Sequence, residues 1–381
     1  MPKSNKKNIL MVTRPIYPPW DEASKNFAWA LVNRLRYFNF HLLTYKKLKN
    51  LDSHLEQHSI YTNPSLRLSF GQKARLLRFL AFPPQPIQLM HFLFTPSPQT
   101  TNLIRLLKLF GRFGQAKTIQ TLATLDFQKV NQNNIKSFIF ADQVVTYSHH
   151  TRKFLKDLNL NNVKTIYPGV DQTKFYPAKK NPELEREFKI KPKQKIILYT
   201  GEYHRLQASD TIAQSLVKLK TVFPDFKMIF ACRIKSDHDY KKQHQLKRFF
   251  KQKNLDSQIM YLETFKKMRQ LYNLADLFIF PVKQMTGKFD IALTVIEAMA
   301  CGLPCIISDI KPLNEVFQQK NCALALKPIN SYNLFTAMHS ILANPALAQS
   351  LSRNALLNIQ KNFSFRQCSR QYQALYQTCL E

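Results

Sequence analysis

Short, wholly apolar runs, each followed by a helix-length segment, recur in two series along this chain, and this pattern constrains the fold more than any other feature. The first series opens on Ile9-Leu-Met-Val12. Four apolar residues in a row are what a parallel strand buried on both faces shows. A turn with Pro15, Pro18 and Pro19 follows, then an amphipathic stretch over residues 22–35 that Asp21 or Ser24 is placed to cap. Further strands are expected at 89–94, 117–122 and 143–147. Strands separated by helix-length segments give a parallel sheet with right-handed crossovers. The second series restarts at Ile196-Ile-Leu-Tyr-Thr200 and continues at 227–231, 277–281 and 305–308. Between the two lie Tyr167-Pro-Gly-Val-Asp171, Pro177 and a charged stretch to Lys195, which read as an interdomain linker. The expectation is an α/β chain of two domains, 1–172 joined by a returning helix at 364–381, and 173–363.

Composition narrows the function classes. The chain has seven glycines in 381 residues and no G-x-G-x-x-G, so the dinucleotide-oxidoreductase fingerprint is absent. All six cysteines lie beyond residue 230, a distribution that suits reduced cytosolic thiols better than a disulfide framework. Cys301 and Cys305 have no second pair, which argues against a zinc site. The apolar run after the basic start stops at Val12, too short for a signal peptide, and no stretch of about 18 uncharged apolar residues offers a membrane span. With 56 basic against 24 acidic side chains the net charge is +32. Such a field favours polyanions: nucleic acid, anionic lipid or phosphorylated substrates. Residues 1–177 carry 25 basic and 8 acidic side chains, so the excess is not confined to one domain. A generally basic proteome would explain it equally.

The segment from Gly287 to Pro304 carries the chemistry. Residues 293–301 read as a helix ended by Gly302, with Pro304 beyond it. Glu297 is the only charge in that apolar helix. A buried carboxylate is costly unless something pairs with it, and two vicinal ribose hydroxyls would suit it. The loop before the helix offers free N–H groups and a positive dipole end to a pyrophosphate, through Ile291, Ala292, Leu293 and Thr294. The alternative is a partly exposed glutamate bonded to neighbouring backbone.

Glu297-Ala-Met-Ala-Cys-Gly302 with Pro304 resembles the signature of the large family of retaining GT-B-fold glycosyltransferases (glycosyl transferases group 1). That family includes sucrose synthases and many bacterial lipopolysaccharide and phosphoinositol mannosyl transferases. Ala275-Asp-Leu-Phe-Ile-Phe-Pro281, Ala141-Asp-Gln-Val-Val-Thr-Tyr-Ser148, Ile166-Tyr-Pro-Gly-Val-Asp171 and the closing segment from Phe363 to Tyr376 extend the likeness from about residue 140 to the end. The resemblance implies two Rossmann-like domains facing across a cleft, a UDP- or GDP-sugar on the second, Glu297 on the ribose, no metal and no further cofactor. It also implies retention of anomeric configuration.

The chain departs from the family pattern at several places. The family motif has an earlier glutamate, separated by seven residues from the one matched by Glu297; that position is Phe289 here, beside which Asp290 is the candidate to reach the sugar. The diphosphate clamp maps onto Gly201-Glu-Tyr-His-Arg205, with Arg205 the nearest cation, no lysine following, and Arg233 the candidate for a second charge. A mid-domain histidine of many relatives is Ala123 here. His91, His149 and His150 are the remaining candidates in the first domain, His91 the one taken as catalytic. In the loop after the first strand, Asp21 or Glu22 is placed to bind acceptor hydroxyls. Residues 65–82 and 101–113 interleave Arg and Lys with Leu and Phe at helical spacing, which suits an anionic membrane surface and a lipid-linked or glycan acceptor reached from the cytoplasmic side. An epimerase of the same fold acting on a nucleotide sugar is the alternative enzyme. A nucleic-acid binder would explain the charge but not Glu297, and no base-recognition motif is present.

Overall fold

The computed structural model describes residues 6–18, 20, 22–62, 69–94, 97–109, 114–317 and 321–381. The chain divides into two compact units, Met1–Pro168 with Gln367–Glu381, and Gly169–Arg366.

Unit 1 alternates strand and helix: β1 (Asn8–Val12), α1 (Ala23–Arg34), β2 (Asn39–Thr44), β3 (Leu55–Ser59), α2 (Phe70–Ala81), β4 (Leu89–Leu93), α3 (Pro98–Lys108), β5 (Lys117–Leu122), β6 (Gln143–Thr146), α4 (His149–Asp157) and β7 (Val163–Thr165). The strands form one seven-stranded sheet in the order β3-β2-β1-β4-β5-β6-β7, and every pairing is parallel. The all-apolar runs sit where the pattern requires: Ile9, Leu10 and Met11 of β1 and Leu89 and Met90 of β4 are fully buried in mid-sheet. The N-cap of α1 is Glu22, which makes no capping bond and instead pairs with Arg14 at 2.7 Å. Ser24 lies inside the helix, and Asp21 lies outside the described residues.

Unit 2 contains α5 (Pro182–Glu187), β8 (Lys195–Gly201), α6 (Ser209–Val222), β9 (Phe226–Cys232), α7 (Asp237–Gln252), β10 (Ile259–Leu262), α8 (Met268–Leu274), β11 (Leu277–Phe280), α9 (Leu293–Ala300), β12 (Cys305–Ser308), β13 (Leu324–Leu326), α10 (Ser331–Ala343) and α11 (Pro345–Asn362). Its sheet is parallel in the order β10-β9-β8-β11-β12-β13. The strand order reverses between β8 and β11. Loops leaving the carboxyl ends of those two strands must diverge to opposite faces, and the crevice they leave is where open α/β sheets take ligands. The last helix, α12 (Phe365–Leu380), brings Tyr372, Leu375 and Tyr376 into the core of unit 1.

The six cysteines are all free thiols. No helix among the described residues is long and apolar enough to cross a membrane.

Candidate nucleotide-sugar site

Three loops of unit 2 leave the carboxyl edge of the sheet around the point where strand order reverses. The loop after β8 begins at Gly201, which lies under the Tyr199 ring, and continues with Glu202 and Arg205. The loop after β9 carries Arg233 and Lys235. The loop after β11 carries Lys288 and leads into α9. The first and third are stitched together: Lys283 N–H donates to the Leu206 carbonyl at 3.0 Å and Gln284 Nε2 to the Arg205 carbonyl at 2.7 Å. Gly287 has φ +69°, and a β-carbon there would press on the Arg205 guanidinium.

Glu202 is the centre of this arrangement. Its side chain is only 4% exposed. Arg205 binds it in a fork, Nε to Oε2 at 2.6 Å and Nη2 to Oε1 at 2.8 Å. Lys288 Nζ donates to Oε1 at 2.6 Å, and Lys235 Nζ stands 3.3 Å from the same oxygen. Burial raises the carboxyl, but the bonds from Arg205 and Lys288 overcome it and hold the group at about 2. Burial conversely pulls the Lys288 ammonium down to about 8, against the upward pull of Glu202. One carboxylate thus holds three cations at the mouth of the sheet, a net surplus of positive charge.

Beside it, α9 begins without a side-chain cap on Ala292. Among the described residues the backbone N–H groups of Leu293 and Thr294 donate to no protein acceptor. An uncapped N-terminus of this kind receives anions. The helix ends as the motif requires: Gly302 has φ +73°, and the N–H groups of Gly302 and Leu303 close back onto the Met299 and Ala298 carbonyls. Glu297, one turn into α9, is partly exposed. Its Oε2 accepts from the buried Tyr272 hydroxyl at 3.0 Å. No bond to Oε1 is made among the described residues. Burial pushes this carboxyl up to about 7 against the Tyr272 hydrogen bond, so it is poised to ionise when hydroxyl donors arrive.

The sequence-derived candidates separate on this geometry. Gly201, Arg205, Glu297 and the stretch Ile291, Ala292, Leu293 and Thr294 share one edge of one sheet, with Ile291 wholly buried. Arg233 follows β9 on the same edge. Lys288 and Lys235 are two cations the sequence reading missed. Lys288 joins the cluster from the loop before α9, 86 positions from the carboxylate it pairs with. Phe289 is packed away at 8% exposure, and Asp290 next to it is 3% exposed, at the base of that loop.

His91 requires correction. It is fully buried in unit 1, with Nδ1 2.6 Å from the Tyr376 hydroxyl and Nε2 2.7 Å from Thr121 Oγ1. Burial pulls its pKa down to about 3. Both ring nitrogens are engaged and the ring is closed to solvent, so it ties α12 to β4 and β5 and is in no position to move a substrate proton. His149 opens α4 and meets the Tyr167 ring edge-on; His150 packs against Phe127.

Residues 180–357 match the model of the family described as glycosyl transferases group 1. This chain carries a glycosyl transferases group 1 domain. The curated lipopolysaccharide core biosynthesis mannosyltransferase LpsB of Rhizobium meliloti is 24% identical over 63% of the chain and 66% of its own length, so the chain aligns with just under two thirds of that relative. The solved sucrose-phosphate synthase of Thermosynechococcus elongatus superposes with a TM-score of 0.77 at 17% identity, covering 98% of this chain and 99% of the other. Anabaena HepE, solved in complex with UDP, gives 0.76 at 14% identity over 98% and 100%. These superpositions establish two parallel-sheet, Rossmann-like domains of the GT-B type.

Proposed function

We propose that this chain transfers a sugar from a UDP- or GDP-sugar to an acceptor, with retention of configuration. The observation that carries the reading is the joint presence, at one sheet edge, of a carboxylate with an open oxygen and a cluster of three cations beside an uncapped helix. Those are the complements of a ribose diol and a diphosphate. UDP in the HepE structure supports a uridine nucleotide first. When the bond from sugar to diphosphate breaks, negative charge grows on the departing oxygen. Arg205, Lys288, Lys235 and the α9 N-terminus stabilise it electrostatically, which is the work a metal ion does in other transferases. Asp290 is assigned to the sugar, and an acceptor approaching from the face of the leaving group gives retention.

The test is a thermal-shift screen of UDP-, GDP- and ADP-sugars. A donor at about a hundred times its Kd adds roughly 2.7 kcal/mol, several degrees in Tm. No stabilisation by any of them overturns the reading. Product analysis by NMR with donor alone separates transfer from isomerisation; a rearranged donor without acceptor supports the epimerase instead.

The acceptor is proposed to be lipid-linked or a cell-envelope glycan, met at an anionic membrane surface on the cytoplasmic side. The support is α2, where Lys73, Arg75 and Arg78 make no ion pair among the described residues and Phe70 and Phe82 at its ends are 88% and 69% exposed. In α3 the apolar Leu106 and Leu109 are exposed, but its cations are engaged: Arg105 donates to the Lys136 and Ile139 carbonyls, and Lys108 pairs with Asp142 at 3.1 Å. Residues 65–68 and 110–113 lie outside the described residues. Each cation near such a surface contributes about 1 kcal/mol. The chain is expected to sediment with anionic vesicles at low salt and to be released at high salt, with Arg75→Glu/Arg78→Glu weakening retention several-fold. Equal binding to neutral vesicles overturns the electrostatic account.

A further inference from the structure

Away from the donor site, three metal-ligating side chains converge on one face of the seven-stranded sheet. His41 lies on β2; Glu56 and His58 lie on the edge strand β3. The parallel register sets His41 opposite Glu56, with His58 two residues further along β3. Residues two apart on a strand share a face, so one strand offers two ligands and its neighbour supplies the third across the ladder. His41 Nδ1 is 2.9 Å from His58 Nε2 and 3.7 Å from Glu56 Oε2, and His58 Nε2 is 3.6 Å from Glu56 Oε1. Tetrahedral zinc, with bonds of about 2.0–2.2 Å to imidazole nitrogen and carboxylate oxygen, sets its ligand atoms roughly 3.3–3.5 Å apart. The imidazole nitrogens lie below that range, and the two separations to Glu56, which run to different oxygens of its carboxylate, lie just above it, so a metal would draw one oxygen inward.

The two imidazole planes are now nearly parallel, at 11° with ring centroids 5.2 Å apart, and the 2.9 Å between Nδ1 and Nε2 is a hydrogen bond in which one ring donates its proton to the other. A cation in place of that proton requires the nitrogens to part by a few tenths of an ångström, with each ring turning its lone pair toward the metal. The surroundings allow this. Exposure rises across the cluster from 2% at His41 to 12% at His58 and 46% at Glu56. The inner ring is thus fixed in the core, while the half-exposed Glu56 on the solvent side of the cluster has room to adjust. Phe79 backs the His58 ring at 4.7 Å, and Gln85 Nε2 donates to Glu56 Oε2 at 3.2 Å, which orients the carboxylate.

We propose that His41, Glu56 and His58 form a zinc-class divalent metal site that fastens the edge strand β3 to β2. Two imidazoles and one carboxylate are a borderline donor set that takes Zn²⁺ or its first-row neighbours and leaves Mg²⁺ and Ca²⁺ aside. The consequence is structural. An edge strand is held on one side only, and β3 is short, so a metal clamp here secures the rim of unit 1. This assignment stands apart from the donor-site reading and does not depend on it.

The test uses the full chain, stripped of metal with a chelator and titrated with Zn²⁺ against a chromophoric competitor, then with Co²⁺. One equivalent is expected, with visible cobalt bands of four-coordination and no thiolate-to-cobalt charge transfer, since the free cysteines take no part. Zn²⁺ is expected to raise Tm and to slow hydrogen exchange in β3, while Mg²⁺ does neither. His58→Ala and Glu56→Ala should each weaken uptake at least tenfold, the scale on which outer-shell changes already act. The largely exposed Glu56 keeps the comparison decisive if His58→Ala folds poorly. No saturable equivalent, or uptake of unchanged affinity in either variant, overturns the assignment.

Discussion

Glu297→Gln is expected to weaken binding of the nucleotide-sugar donor by on the order of a hundredfold while leaving the empty protein at least as stable as before. The carboxylate offers two charge-assisted acceptor positions to a ribose diol, each contributing about 1.5–3 kcal/mol, and the amide keeps one neutral acceptor. Tyr272 still has an oxygen to donate to, so the local packing survives. The substitution also removes a carboxyl whose pKa burial has pushed up to about 7. A folded-state value above the unfolded one means that folding favours the protonated form. That stability is fully present below the unfolded value of 4.5 and is lost as pH rises through about 7, and the amide escapes the loss. A glutamate kept only for structure would behave oppositely, with Glu297→Gln lowering Tm and sparing the donor. Calorimetric titration beside a melting curve separates the two outcomes. A pH signature goes with it. The diol bonds the ionised form, so wild-type affinity should fall as pH drops below about 7, and Glu297→Gln should flatten that limb.

What could be read in advance follows from where information sits along the chain. The strands buried on both faces, β1, β8, β11 and β12, announce themselves as unbroken apolar runs. Three of the four rim strands do not: β3 is Leu-Glu-Gln-His-Ser, and β7 and β13 have three residues each. A half-exposed strand of that length carries neither an apolar run nor enough alternation to register. Glu297 was legible because a lone charge in an apolar helix needs a reason. Lys288 and Lys235 were not, because their reason is Glu202, and only the placing of β11 and β9 on either side of β8 brings all three together. His91 illustrates the reverse. A histidine in an apolar strand resembles a site residue until Tyr376, 285 positions away, is found on its ring. Position within a strand is local information, while the partner that decides a polar side chain's role is set by topology.

Lys288→Ala is expected to lower kcat/KM for transfer by about 10²–10³, the scale on which a preorganised group facing a developing oxyanion acts. The choice of Lys288 over Lys235 rests on burial: its side chain is 26% exposed against 43%, so its charge is less screened. Its ammonium sits at about 8 because burial outweighs Glu202. Donor affinity in the wild type should therefore fall as pH rises past about 8, completing a bell whose acid limb belongs to Glu297. The diphosphate of a nucleotide sugar has no proton to lose in this window, which leaves the limbs to the protein. Glu202→Gln is the sharper probe of the same cluster. Removing a negative charge from a site for an anion would, on net charge alone, tighten binding. The geometry predicts the opposite at neutral pH. Without the carboxylate that draws its pKa upward, Lys288 titrates below about 8 and enters the assay as a neutral amine, and Arg205 loses the fork that orients it. Glu202→Gln should thus hold donor nearly as well as wild type at pH 6 and lose it progressively toward pH 8, with the basic limb moved to lower pH. In Lys288→Ala that limb should disappear altogether. Tighter binding by Glu202→Gln across the whole range would show instead that the carboxylate competes with the diphosphate for its cations.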